Sequence, residues 1–184
     1  MNKYIRGLGC AFVGTAKAIA LKIERGSKVN FAFPVLISPS TEVTVDRGGS
    51  LYVGRRINIR NGSRLAVRKN GILKIGDNFY MNSGCLISVH ESITIGNDVE
   101  FGPGVLVYDQ DHDFRVEGGL KAKKFKTSPV TIGNNVWIGA NTIILRGTSI
   151  GDNCVVGAGC ILKGKYDNGL VIIQKRIDDI SKYD

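Results

Sequence analysis

Aliphatic residues recur at every sixth position through the C-terminal half of the chain: Ile132, Ile138, Ile144, Ile150, Val156 and Leu162. The units they head read IGNNVW, IGANTI, ILRGTS, IGDNCV and VGAGCI, and Gly follows the aliphatic in four of the five. An earlier tract keeps the same interval, with Ile75, Met81 and Ile87, then Ile95, Phe101 and Val107. These two sets are out of phase by two residues, which predicts a small bulge around Glu91–Thr94. Val45, Leu51 and Ile57 carry the rhythm further back, and Leu65 requires another short insertion. A period of six suits neither an α-helix nor a simple alternating strand. It suits short strands joined by tight corners, one inward aliphatic per side, three sides to a coil of 18 residues, with Gly, Asn and Asp at the corners. Such coils bury their aliphatics only by stacking, so the pattern predicts an all-β solenoid of triangular coils over roughly residues 40–164.

The rhythm breaks once, at YDQDHDFRVEGGLKAKKFKTSPVT (108–131). A polar excursion that long inside a compact repeat is read as a functional loop. The ends differ in kind. Residues 8–25 are rich in helix formers and end near Gly26, which predicts a terminal helix. It can cap the solenoid, or rest on a membrane surface with Lys3, Arg6, Lys17, Lys22 and Arg25 at the headgroups. GLVIIQ (169–174) reads as a last strand and 175–184 as a polar tail. The organisation expected is a helical cap over 1–30, a solenoid over 31–168 with its active-site loop at 108–131, and a C-terminal strand and tail over 169–184.

Composition narrows the chemistry. With 184 residues, 43% hydrophobic and 22% charged, the chain is the size and make-up of one globular domain. No apolar run reaches 18 residues, since Ala11–Ile23 is broken by Lys17 and Lys22, so a cytoplasmic protein is expected, or one at the inner face of the membrane. The net charge is +9, and residues 1–74 hold 14 Lys and Arg against 3 Asp and Glu. That half suits an acidic membrane, glycan or phosphorylated ligand, or merely a soluble β-rich surface. Nucleic acid is excluded as a partner, because no stacking aromatic platform accompanies the cations. Cys10, Cys85, Cys154 and Cys160 form no CxxC pair and read as buried thiols.

The two histidines are His90 and His112. His112 stands in DQDHDF at the start of the excursion, flanked by Asp109, Asp111 and Asp113. An imidazole is the usual general base near neutral pH, and a neighbouring carboxylate can fix its tautomer. His90, in ISVHES, is read as facing outward on a coil.

VTIGNNVWIGANTIILRGTSIGDNCVVGAGCILKG (130–164) resembles the signature of the hexapeptide-repeat acyltransferases, which are left-handed parallel β-helices. Spacing alone leaves handedness open, and the common crossover rule would favour the right-handed form. IGDNFYMNSGC (75–85) and ITIGNDVEFGPGVLVYDQDHDF (93–114) resemble the active-site portion of the sugar O-acetyltransferase branch, including maltose, galactoside and capsular polysaccharide enzymes. The resemblance implies acetyl-CoA as co-substrate, no metal, a homotrimer with active sites between subunits, and a sugar acceptor in surface polysaccharide synthesis. It implies His112 as the base for direct transfer, and Asn82 as an acceptor-binding residue, with Tyr108 a candidate for the same cleft. Asn82 could equally be a turn residue bonded to its own backbone. Trp137, Gly139, Ala140, Gly157, Ala158 and Lys163 fall where the family contacts coenzyme A, with Lys175 and Arg176 as nearby cations for its phosphates. Trp137 could also be an interface aromatic. The family's Gly-Asn-Pro-Ala-Lys/Arg segment near the C-terminus is replaced here by VIIQKRIDD. The cluster KAKKFK (121–126) serves an acidic acceptor or keeps the loop solvated. The competing readings are an N-acetyltransferase on an amino sugar nucleotide, a non-catalytic scaffold, and a zinc hydratase, for which two histidines are too few.

Overall fold

The computed structural model describes residues 3–175, with side chains from residue 8 onward. Helix α1 (Lys3–Arg25) leads through a 3-10 turn (Gly26–Lys28) into a coil that winds through three parallel sheets. The first face holds seven strands, from Val29–Phe31 to Lys165–Tyr166. The second also holds seven, from Val35–Ile37 to Val171–Ile172, and the third holds six, from Glu42–Val45 to Ile161–Leu162. The result is a left-handed β-helix. Each strand's inward residues stack on their counterparts in the next coil, as in the column Leu51, Leu73, Ile93, Val130. These residues are all but inaccessible to solvent. Between the third and fourth coils, Phe79 and Phe101 meet edge to face at 5.1 Å.

The repeat is longer than expected and less uniform. Coils begin at Val29, not near residue 40, and run to Ile172. Leu51 pairs with Leu73 and Leu73 with Ile93, whereas Thr131 pairs with Ser149, so the early coils exceed 18 residues. The surplus sits at the corner from the third face to the first. Gly49 and Gly71 close turns there on Asp46 and Arg68. The phase shift assigned to a bulge at Glu91–Thr94 is this same corner, at His90–Glu91, and Ser92–Ile95 is a regular strand.

The corner from the first face to the second is held tightly. A Cβ on Gly96 would lie 2.6 Å from the Gly133 carbonyl, and one on Gly133 would lie 2.7 Å from the Gly151 backbone. Only glycine lets the coils approach this closely. The next position is Asn or Asp, and its side chain accepts an N–H from the coil before. Asp77 N–H donates to Asn97 at 2.7 Å, Asn97 N–H to Asn134 at 2.8 Å, and Asn134 N–H to Asp152 at 2.6 Å.

Both open ends are sealed by side chains. Gly14 of α1 sits on the edge strand Val35–Ile37, where an added Cβ would be 2.8 Å from Val35 O and Ile37 N. Lys17 donates its ammonium to the carbonyls of Pro39 (2.9 Å) and Thr41 (2.5 Å), so this lysine serves the cap and not a headgroup. At the other end the Gln174 amide imitates a strand, accepting from Ile161 N at 2.8 Å and donating to Ile161 O at 2.7 Å. Cys85, Cys154 and Cys160 are buried free thiols, Cys10 is half-buried, and burial pushes the Cys85 thiol up. Among the described residues, no helix is long and apolar enough to cross a membrane.

Candidate active site

The excursion is an antiparallel hairpin. Gln110–His112 pairs with Phe125–Thr127, placing His112 directly opposite Phe125. It leaves the solenoid at the third-to-first corner of the fourth coil and is closed at its base by Ser128 N–H donating to Asp109 O at 2.9 Å.

Asp109 corrects one expectation. It follows Val105 and Val107 at the inward-facing alternate position and is fully buried. Its carboxylate accepts the backbone N–H groups of His90, Glu91 and Ser92, each at 2.8 Å. It therefore ties the arm to the coil before, and all its bonds are to backbone rather than to His112. Asp111 pairs with Arg146 at 2.6 Å, and Asp113 with Lys126 at 3.2 Å. Thus none of the three carboxylates orients His112 within one chain.

Aromatic packing holds the imidazole instead. The His112 ring lies 4.7 Å from Phe125, and His90 packs on the same Phe125 ring at 4.4 Å. His90, read as merely facing outward, is half-buried at the root of the arm. Burial pushes its pKa below the ordinary value, with Arg68 and His112 adding to the lowering and Asp109 and Asp46 opposing it. His112 is exposed, and neither ring nitrogen has a hydrogen-bond partner among the described residues.

The remaining candidates gather at another corner. Because Met81, Phe101, Ile138, Val156 and Ile172 are in register, Asn82, Gly102, Gly139 and Gly157 form one column after the second face. Ala140 and Ala158 lie beside it, and Ile173 ends it, with Lys175 two residues further on. The Gly139 and Gly157 N–H groups are consumed by coil stacking, at 2.7 Å to Val156 O and 2.8 Å to Ile172 O. The N–H groups of Ala140 and Ala158 have no partner among the described residues and lie along a strip of Gly and Ala that the exposed Ile173 closes at the last coil. Such a strip fits an extended amide-bearing chain, which would bond to those donors. Asn82 spends its amide oxygen on Ser83 N–H at 2.8 Å, the local turn bond. Trp137, 56% exposed on the second face, borders a groove of about 360 Å³ with Asp98, Glu100, Asn135 and Asn153. Tyr108 is half-buried beside the arm, Lys163 is exposed at the corner after the third face, and Arg176 lies outside the described residues.

The structure therefore separates the candidate residues into two groups, the His112 arm and the column from Asn82 to Gly157. They occupy opposite edges of the third face, separated by roughly 20 Å at about 3.3 Å per strand residue.

Residues 129–163 match the model for the hexapeptide repeat of succinyl-transferase. Across 143 residues the chain is 31% identical to the Escherichia coli K12 protein named "Putative lipopolysaccharide biosynthesis O-acetyl transferase WbbJ", covering 73% of each. The chain belongs to the hexapeptide-repeat acyltransferase family. Galactoside O-acetyltransferase of the same organism is 39% identical over 94 residues, 49% of this chain and 44% of that enzyme. Among solved structures, AntD, an N-acyltransferase from Bacillus cereus crystallised with dTDP and coenzyme A, superposes with a TM-score of 0.67. It covers 84% of this chain and 83% of its own at 22% identity, a likeness of fold.

Proposed function

We propose that this chain is an acetyl-CoA-dependent O-acetyltransferase that acetylates a sugar hydroxyl during assembly of a surface polysaccharide. The observation that carries the reading is the exposed His112 imidazole, held on a packed arm and without a hydrogen-bond partner among the described residues. The long match to a lipopolysaccharide O-acetyl transferase supports the choice of acceptor. Because arm and column lie at opposite edges of one face, the working centre is formed between subunits of a homotrimer, one supplying His112 and its neighbour the column. Closed cyclic assembly lets every arm meet a column.

In this centre acetyl-CoA lies along the column, its amides on the Ala140 and Ala158 N–H groups and its phosphate end toward Lys175. The acceptor hydroxyl lies between Asn82 and His112. His112 removes the hydroxyl proton as the oxygen attacks the thioester carbonyl. Collapse of the tetrahedral intermediate breaks the carbon–sulfur bond. The coenzyme A thiolate then takes the proton from the His112 imidazolium. The buried cysteines take no part.

The test is thiol release from acetyl-CoA with a panel of sugar and amino-sugar acceptors. His112→Ala is expected to lower kcat by about 10²–10⁴-fold with little change in KM for acetyl-CoA. Mixed assemblies of His112→Ala and Asn82→Ala chains should regain activity that neither variant shows alone. Full turnover by His112→Ala would remove the proposed base, and preference for an amine would move the reading to N-acetylation.

A further inference from the structure

Helix α1 uses one side to close the solenoid and leaves the other bare. Gly14, Ala18 and Leu21 face the first coil, on whose open edge the helix lies. The opposite side carries Leu8, Phe12, Ile19 and Ile23, spaced to form one stripe, with exposures of 73%, 77%, 48% and 80%. Phe33 of the first coil, 47% exposed, continues the stripe, lining with Ile19 and Ile23 a shallow apolar cavity of about 110 Å³. Since Gly14 rests on outward edge groups of the first coil, the stripe points away from the stack, along the solenoid axis.

The charge at this end is one-sided. From residue 8 to residue 74 there are three acids, and all are in ion pairs: Glu24 with Arg25, Glu42 with Arg64, and Asp46 with Arg68. Lys22, Lys28 and Arg47 are exposed and have no ion pair among the described residues. An apolar stripe with unneutralised cations around it is the surface that an anionic bilayer binds. Bringing two such ends together would set cation against cation, so the charge disfavours a second copy as the occupant.

We propose that this end of the molecule docks on an anionic lipid surface. Phe12, Ile19, Ile23 and Phe33 enter the headgroup–acyl boundary, Lys22, Lys28 and Arg47 meet lipid phosphates, and the solenoid stands away from the bilayer. This docking stands independently of the acyl-transfer reading.

The test is co-sedimentation of the full chain with vesicles of phosphatidylcholine alone and of equimolar phosphatidylcholine and phosphatidylglycerol, at low and high salt. Binding should require the anionic lipid and weaken with salt. The double variant Phe12→Ser, Ile23→Ser should bind about tenfold more weakly or worse. Lys22→Glu should weaken binding at low salt, and both variants should keep their assembly mass and their activity on a soluble acceptor. The proposal is overturned if the parent ignores anionic vesicles, or binds both lipids equally. It is also overturned if the serine variant loses assembly mass while retaining vesicle binding, because the stripe is then a contact between copies.

Discussion

Replacing Asp109 with Ala tests whether the arm that carries His112 is anchored by one buried carboxylate. The side chain is fully buried and accepts three backbone N–H groups at 2.8 Å, from His90, Glu91 and Ser92. Hydrogen bonds to a charged acceptor contribute about 1.5–3 kcal/mol each. Three of them set an upper range of about 4.5–9 kcal/mol. The three donor residues are exposed or half-exposed. Water would satisfy part of what the carboxylate leaves, so the expected loss is about 4 kcal/mol. For a chain of this size that lowers Tm by roughly 8–16 °C. Asp109→Asn keeps one accepting oxygen but turns an NH₂ toward the remaining donors, and should lose about half as much. Asp111→Ala, which breaks a partly exposed pair with Arg146, should cost no more than about 1 kcal/mol. The assay is thermal and urea unfolding at one fixed protein concentration, the condition under which an assembly equilibrium would weigh on parent and variants alike. If Asp109→Ala lay within about 1 kcal/mol of the parent, the anchoring argument would fail.

Two further outcomes follow from the coil geometry and the arm's root. Gly96→Ala places a methyl 2.6 Å from the Gly133 carbonyl, against backbone that cannot move without parting the coils. It should cost about 3 kcal/mol in the same unfolding assay, whereas Gly9→Ala, with nothing within 4 Å, should be neutral or stabilising by about 1 kcal/mol. His90 has a folded pKa below its ordinary 6.5, so the unfolded chain binds its proton first. Its contribution is complete above 6.5 and is lost as pH falls below that value toward the folded pKa. His90→Gln should flatten the acid-side slope of stability against pH, and an unchanged slope would assign that loss to other groups.

The six-residue period was legible because every inward position of a short coil is filled by one aliphatic, and burial tolerates little else there. The early coils were blurred for a physical reason: their extra residues all fall at one corner, where turns such as Asp46–Gly49 shift the phase without disturbing the faces. Asp109 shows a signal that was present and misread. Counting by twos from Val105 and Val107 puts it inward, at the level of Val89 in the preceding coil, yet its place beside His112 suggested a catalytic partner. The meeting of His90, Phe125 and His112 had no comparable signal. It depends on hairpin register and on coil stacking at once, and neither is written as a spacing. Lys17 and Gln174 were likewise opaque, since a side chain that seals an open sheet edge repeats nowhere else in the chain.

The position of the arm follows from what the other two corners must do. The first-to-second corner is a continuous ladder of Gly and Asn or Asp, in which a single added Cβ would collide with the neighbouring backbone. The second-to-third corner carries the small-residue column, where bulk would cover the Ala140 and Ala158 amides. The third-to-first corner alone already varies, from a four-residue turn after Val45 to two residues after Val89, so an insertion there breaks no stack. An inserted loop would still swing freely without a tether, and the coil before it supplies two: three N–H groups for Asp109 and the His90 ring for Phe125. Among the described residues, packing and not a hydrogen bond holds the His112 ring, which leaves both of its nitrogens without a partner there. A base held by a neighbouring carboxylate would have one nitrogen already taken. This arrangement is the one expected where the remaining contacts come from substrate and from the partner subunit.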